Sequence, residues 1–196
     1  MSAADKELTR QIGELEREIQ DKQRVLSEMR RRLPREKVAD HQLLGPGGER
    51  VPLTSLFGVK KDLIVVHNMR SKCPYCTLWA DGLNGVLPHL QARAAFAVVS
   101  PDPPDMQASF AAGRGWKFPM FSNADSGFTE AMGYVREEGG HKMFWPGFST
   151  FTREPDGTVT RVAHASFGPG DPYCGAWHLF AILAGGVEGW EPKLRY

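Results

Sequence analysis

The chain has 196 residues, room for one well-buried α/β domain plus an appendage but not for two full domains. Lys and Arg (24) nearly cancel Asp and Glu (23), a balance that leaves no electrostatic footprint for nucleic acid or for a polybasic membrane contact. No run approaches the roughly 20 apolar residues of a spanning helix, and the charged start lacks the apolar stretch of a secretory signal, so a cytoplasmic location is expected, with no nucleic acid and no membrane as partners.

Residues 1–36 read as an appended amphipathic helix. Leu8, Ile12, Leu15, Ile19, Leu26, Met29 and Leu33 step by fours and threes along a charged surface, with Lys22 filling the remaining seam position. Arg30, Arg31 and Arg32 crowd the end where cations favour the helix dipole, and Pro34 stops the helix. The seam serves either as a clamp on its own domain or as a homodimer contact. Residues 37–196 form the main domain. His41–Leu56 reads as a short hairpin turning at Gly45-Pro46-Gly47-Gly48. Leu63–His67 is a continuous apolar run of the kind found in strands buried on both faces. A helix follows over Leu78–Gln91, which Pro88 bends or breaks. Ala94–Val99 is a second buried strand, and a helix runs past Met106 and Phe110. Phe148–Thr152 and Thr158–Ala165 are strands joined at Pro155-Asp156-Gly157, and a last helix spans Tyr173–Leu183.

Strand, helix, strand, helix, hairpin and closing helix is the thioredoxin arrangement: α/β, a central mixed sheet flanked by helices, with an added long N-terminal helix. Its right-handed crossover brings the strand's carboxyl end and the helix's amino end to one edge. Cys73-Pro74-Tyr75-Cys76 falls at that edge. Three cysteines are too few for a disulfide framework, and C-x-x-C in this setting reads as redox or metal chemistry. The nucleophile of disulfide exchange is a thiolate, and Cys73 at a helix start meets free N–H groups and the dipole. Arg70 and Lys72 add positive charge nearby. Cys73 is therefore the expected attacking thiol and Cys76, one turn on, the resolving one. Pro74 suits the first helical position. A peroxidatic site carries Thr or Ser three residues before its cysteine; Arg70 stands there, which disfavours peroxidase chemistry.

Several other residues complete the candidate site. Pro146, ahead of the Phe148 strand, is expected as a cis-proline beside the thiols, and Trp145 borders any groove there. Asp81 is a candidate proton carrier, and Trp79 a packing residue beside it. His67 ends the strand before the motif and is a candidate to tune the thiols. Cys174 and His178 share one helix face. Three readings stand for Cys174: a buried structural residue, a third redox thiol, or a zinc ligand with Cys73, Cys76 and His178.

Cys73-Pro74-Tyr75-Cys76 followed by Trp79-Ala80-Asp81-Gly82 is specific. With Glu7-Leu8-Thr9-Arg10, Gly115-Trp116-Lys117-Phe118-Pro119 and Pro146-Gly147-Phe148-Ser149 it resembles a thioredoxin-like family of uncharacterised proteins, long catalogued as a domain of unknown function. The resemblance runs from about Lys6 to the last helix. It implies a predicted dithiol–disulfide oxidoreductase acting through Cys73 and Cys76, with a disulfide substrate and a thiol reductant, either glutathione or a reductase. No organic cofactor is expected, because the electrons reside on sulfur. The Pro-Tyr pair between the cysteines resembles the glutaredoxin motif and points to glutathione. The alternatives are a zinc-holding thioredoxin-fold binding protein and a redox-sensing adaptor.

Overall fold

Ser2 and Asp5 start a long helix. The Asp5 N–H donates to Ser2 Oγ (3.1 Å) and the Ser2 N–H donates back to Asp5 Oδ2 (2.7 Å), a reciprocal cap that satisfies two orphan donors. The helix, α1 (Ala3–Arg32), ends on three arginines just before Pro34 and is laced by pairs such as Glu18–Lys22 (2.6 Å). The computed structural model describes residues 1–123 and 125–196, and the chain divides into two units, Met1–Arg35 and Glu36–Tyr196.

The second unit runs β1 (Glu36–Lys37), β2 (Gln42–Leu44), β3 (Arg50–Pro52), β4 (Asp62–His67), α2 (Pro74–Gly85), α3 (Leu87–Arg93), β5 (Ala95–Ser100), α4 (Pro104–Arg114) and β6 (Met120–Ser122). It continues through α5 (Phe128–Ala131), β7 (Val135–Glu138), β8 (His141–Phe144), β9 (Gly147–Arg153), β10 (Val159–Ser166) and α6 (Gly175–Ala181). Eight strands form one sheet in the order β1-β10-β9-β4-β5-β6-β2-β3, and β7 and β8 pair separately. β4, β5 and β6 are parallel, whereas β9 runs antiparallel to β4 and sets Val66 opposite Phe148 and His67 opposite Gly147. This is the expected thioredoxin-like mixed sheet.

Alternation along β4 builds two cores. Leu63 and Val65 join Leu53, Phe57, Phe128 and Phe151 on one face. Val66 joins Phe96, Val98, Trp79, Trp116 and Phe118 on the other. Each such side chain contributes about 1.5–3 kcal/mol when fully buried, which is why the two apolar runs can only be central strands. Pro88 interrupts the expected Leu78–Gln91 helix: α2 ends at Gly85 and α3 restarts with the proline in its first turn.

Three features differ from expectation. The segment 128–144 carries α5 and the β7–β8 hairpin, where none was read; its turn residues Gly139 and Gly140 both have positive φ (58° and 77°), and the Gly-Gly pair was the available signal. Pro146 is trans. Trans is the state that X-Pro bonds ordinarily favour, and the chain is in extended pairing on both sides, the Trp145 N–H donating to the Tyr134 carbonyl (2.8 Å) and the Phe167 N–H to the Pro146 carbonyl (2.9 Å). His67, finally, points into the core opposite α2.

There His67 stacks on Tyr134 (4.0 Å between centroids), and its Nε2 lies 3.0 Å from Ser149 Oγ. The Tyr134 hydroxyl reaches the carbonyls of Phe148 (2.7 Å) and Ala165 (3.1 Å). A Cβ on Gly147 would come within 2.5 Å of the Tyr134 ring, so this close approach requires glycine. Burial first, then the charges of Arg161 and His164, hold His67 well below the ordinary histidine value of 6.5. The folded state therefore resists a proton that the unfolded chain accepts. Stability is full above about pH 6.5 and falls as pH drops below it, by up to ~1.4 kcal/mol per pH unit for one proton. Urea unfolding across pH 4–8 is expected to show this loss, and the His67→Gln variant a flatter profile over the same range.

Candidate active site

α2 begins where the chain leaves β4 and turns through residues 70–73. The Cys73 N–H donates to the Arg70 carbonyl (3.1 Å), closing the turn. Cys73 then takes the N-cap position itself, with extended backbone (φ −91°, ψ 110°), and its Sγ accepts the Cys76 N–H at 3.1 Å. A sulfur thus fills the place usually held by a Ser, Asp or Asn oxygen. Thr77 Oγ1 donates to the Cys73 carbonyl (2.9 Å) and fixes the first turn. Cys73 is half-buried and Cys76 buried, and all three cysteines are free.

These contacts divide the labour between the thiols. The Cys76 thiol donates to Cys73, and this is the main cause that lowers Cys73 from 9.0 to about 7; the N–H groups of Cys76 and Tyr75 add to it against the opposing effect of burial. Cys76 is pushed far up by the same hydrogen bond, by burial and by the neighbouring charge. Above about pH 7 the pair keeps one proton, on Cys76, and the negative charge falls on Cys73.

Arg70 and Lys72, expected to supply positive charge, are not among the causes of this shift. Arg70 lies over the Phe144 ring (5.4 Å) and reaches Asp102 Oδ1 at 3.5 Å, while Lys72 is exposed. Asp102 is the residue that sequence reasoning missed. It is buried beyond the end of β5, and its Oδ2 accepts the Ser71 N–H at 2.6 Å, which pins the turn that delivers Cys73. Gln107, also buried, donates to the Asp102 carbonyl (2.7 Å) and ties that support to α4. A carboxylate 31 residues from its partner in sequence leaves no local signal.

Trp79-Ala80-Asp81-Gly82 holds the helix to its surroundings. Trp79 Nε1 donates to Asp171 Oδ2 (3.0 Å), and Asp171 also accepts the N–H groups of Gly168 (2.9 Å) and Tyr173 (2.7 Å), so the loop before α6 is fastened to α2. Asp81 is paired with Arg114 and accepts Trp116 Nε1 (2.8 Å). Those bonds tie it to Arg114 of α4 and to Trp116, and neither partner is a thiol. Tyr75, between the cysteines, stacks on Trp177 of α6 (6.2 Å).

Cys174 sits at the start of α6, 6 % exposed, on a cleft of about 280 Å³ that Leu78, Leu83 and Val86 also line. Burial pushes its thiol up. His178 Nε2 is 2.9 Å from the Asp171 carbonyl. Among the described residues no three His, Cys, Asp or Glu side chains converge as a metal site, so Cys73, Cys76, Cys174 and His178 do not assemble the zinc set of the alternative reading. His178 is committed to the loop carbonyl instead, and the buried-residue reading of Cys174 fits best.

Asp102 is a positioning residue: it acts on Cys73 only through the turn. In Asp102→Ala the midpoint of Cys73 alkylation against pH should rise from about 7 towards 9.0, with a stability loss of about 1 kcal/mol from the part-buried Ser71 N–H left without its acceptor. Asp102→Asn, which keeps an acceptor for Ser71, should hold the midpoint near 7. A midpoint unchanged in both variants would show that the turn does not depend on Asp102.

No helix among the described residues is long and apolar enough to cross a membrane. No curated protein matches the sequence. Among solved structures the chain is similar to peroxidoxin BcpB from Mycobacterium tuberculosis (25 % identity, 67 % of this chain and 84 % of that one, TM-score 0.53). It is also similar to peroxiredoxin Q from Xanthomonas campestris (27 %, 67 % and 84 %, 0.53). A third likeness is to reduced Prx3 from Vibrio vulnificus in complex with hydrogen peroxide (16 %, 69 % and 88 %, 0.55). The shared architecture is the thioredoxin fold of peroxiredoxins, and it supports thiol redox chemistry in general. Residues 3–189 match the family described as "bacterial protein of unknown function (DUF899)", and the chain belongs to that family.

Proposed function

We propose that the protein is a cytoplasmic thiol–disulfide oxidoreductase that cycles Cys73 and Cys76 between dithiol and disulfide. The observation that carries this reading is the N-cap geometry, in which Cys73 Sγ stands at the start of α2 and accepts the Cys76 N–H at 3.1 Å. The Cys73 thiolate attacks a disulfide, forming a mixed disulfide and releasing one substrate sulfur as a thiolate, which takes up a proton. Two of the causes that raise Cys76, the hydrogen bond to Cys73 and the Cys73 charge, need Cys73 as a thiolate. Both vanish once Cys73 is in the mixed disulfide. Cys76 then loses its proton more readily and attacks Cys73 Sγ, expelling the second substrate thiolate and leaving a Cys73–Cys76 disulfide. Two electrons have passed from the dithiol to the substrate. A thiol reductant of the glutathione or reductase class returns them.

A second reading is favoured by the peroxiredoxin neighbours. In it the Cys73 thiolate attacks a peroxide, becomes a sulfenic acid and releases water or an alcohol; Cys76 condenses with it to the same disulfide and a second water. Arg70, in place of the Thr or Ser before a peroxidatic cysteine, speaks against this route.

One set of measurements separates the two. Cys73 alkylation should follow a midpoint near pH 7, rising with pH, and Cys76→Ala should move that midpoint upward because the main lowering cause is gone. With glutathione as reductant, hydroxyethyl disulfide should turn over faster than hydrogen peroxide, and Cys73→Ser should reduce turnover to background. Faster consumption of peroxide would replace the first reading with the second. Turnover that survives Cys73→Ser would remove both.

A further inference from the structure

α6 and the segment after it stand against the helix that carries the cysteines. Trp177 is buried and lies nearly parallel to the Tyr75 ring, with 12° between the planes and 6.2 Å between centroids, within the range in which aromatic pairs attract. Trp190 meets Trp177 edge-on at 5.4 Å and Phe180 at 4.7 Å. Pro192 is buried, and the Leu194 carbonyl accepts Arg114 Nη1 at 2.9 Å. The same guanidinium pairs with Asp81 of α2. Residues 187–194 therefore reach α2 by two routes, through Trp177 to its first turn and through Arg114 to its second.

We propose that this segment is a strap that positions Tyr75, with Trp177 and Trp190 as positioning residues for the reactive thiol of Cys73. It rests on the redox reading above and adds the part of the molecule that holds the nucleophile's surroundings in place.

Tyr75 is where support from outside the helix matters. Cys73 is the N-cap, so Pro74, Tyr75 and Cys76 are the first three helical positions, and N–H groups there have no partner one turn back. Those of Tyr75 and Cys76 turn to the Cys73 sulfur instead. The aim of the Tyr75 N–H then depends on what holds the residue. Its contact with Trp79 (6.3 Å) lies within α2 and moves with that helix. Among the described residues, Trp177 is the ring that reaches it from another element. Trp177 Nε1 has no hydrogen-bond partner among them, so Trp177 acts through its ring face. The strap also meets Tyr75 directly: burial first, then the charge of Glu191 and a hydrogen bond to it, push the Tyr75 hydroxyl above its ordinary value of 10.0. Glu191 is an anion and opposes a thiolate nearby. What the strap gives Cys73 is therefore the aim of a backbone donor and not charge.

Alkylation of Cys73 against pH in the full chain tests this, with urea unfolding to show which variants are folded. Trp177→Ala should raise the midpoint from about 7 by roughly one unit, tenfold in the ionisation constant. Trp177→Phe, which keeps a ring face, should hold it near 7. Trp190→Ala should give a smaller rise, and the double alanine variant no more than Trp177→Ala alone, because Trp190 acts through Trp177. All of these leave Glu191 and its charge in place. A folded Trp177→Ala with an unmoved midpoint overturns the proposal. If that variant does not fold, an unmoved midpoint in Trp190→Ala overturns it instead. So does a double variant that shifts by the sum of the two single ones. A wild-type midpoint near 9.0 would remove the redox reading itself, and this inference with it.

Discussion

The hydrogen bond from the Cys76 backbone to Cys73 Sγ is the contact on which the site depends. It makes the sulfur a structural part of the helix start, so the geometry that begins α2 is also the geometry that favours a thiolate. Because Cys76 adds its own thiol proton to the same acceptor, one residue receives the charge and the other keeps the proton. A C-x-x-C placed in mid-helix would offer no free N–H groups and no such division. The chemistry follows from position, and the sheet supplies the position: parallel β4 and β5 put their carboxyl ends and the start of α2 at one edge.

Around that point the molecule fixes backbone far more than it supplies charge. Asp102 holds the turn before Cys73, Gln107 holds Asp102, Trp79 holds the loop before α6, and Asp81 holds α4. Ser71, the amide that Asp102 receives, is only two residues from the nucleophile. Buried polar groups with satisfied partners are rigid because breaking any one bond leaves a desolvated donor or acceptor. The Trp79-Ala80-Asp81-Gly82 segment is thus a fastening for α2 on two sides, one through each polar side chain.

What could be read from the sequence was local or periodic. The β4 and β5 runs, the heptad of α1, the Pro88 break and the placement of Cys73 at a helix start each need only a few neighbouring residues, and each is found in the fold. Three of the differences concern contacts between segments distant in sequence. Asp102 reaches Ser71 across 31 residues. Asp81, a turn beyond Cys76, is by position a candidate proton carrier, but its partners Arg114 and Trp116 lie more than 30 residues on. Pro146 does lie ahead of its strand, yet its bond is trans, and its carbonyl pairs with Phe167, 21 residues on. His67 was assigned to the right strand end, but side chains alternate along a strand, and its parity turns it to the core face opposite α2. The β7–β8 hairpin did carry a local mark, Gly139-Gly140, hidden among charged residues that do not alternate with apolar ones as a half-buried strand would.

The central claim is that Cys73 and Cys76 form one redox unit and that Cys174 stands outside it. The most direct test is equilibration of the protein in glutathione buffers of graded potential, followed by alkylation and mass spectrometry of each cysteine. The account predicts that Cys73 and Cys76 lose label together, linked to each other, at a single potential within reach of the cytosolic glutathione poise of roughly −220 to −320 mV, while Cys174 keeps its thiol throughout. Oxidation of Cys73 and Cys76 at separate potentials, or a disulfide between either of them and Cys174, would contradict it.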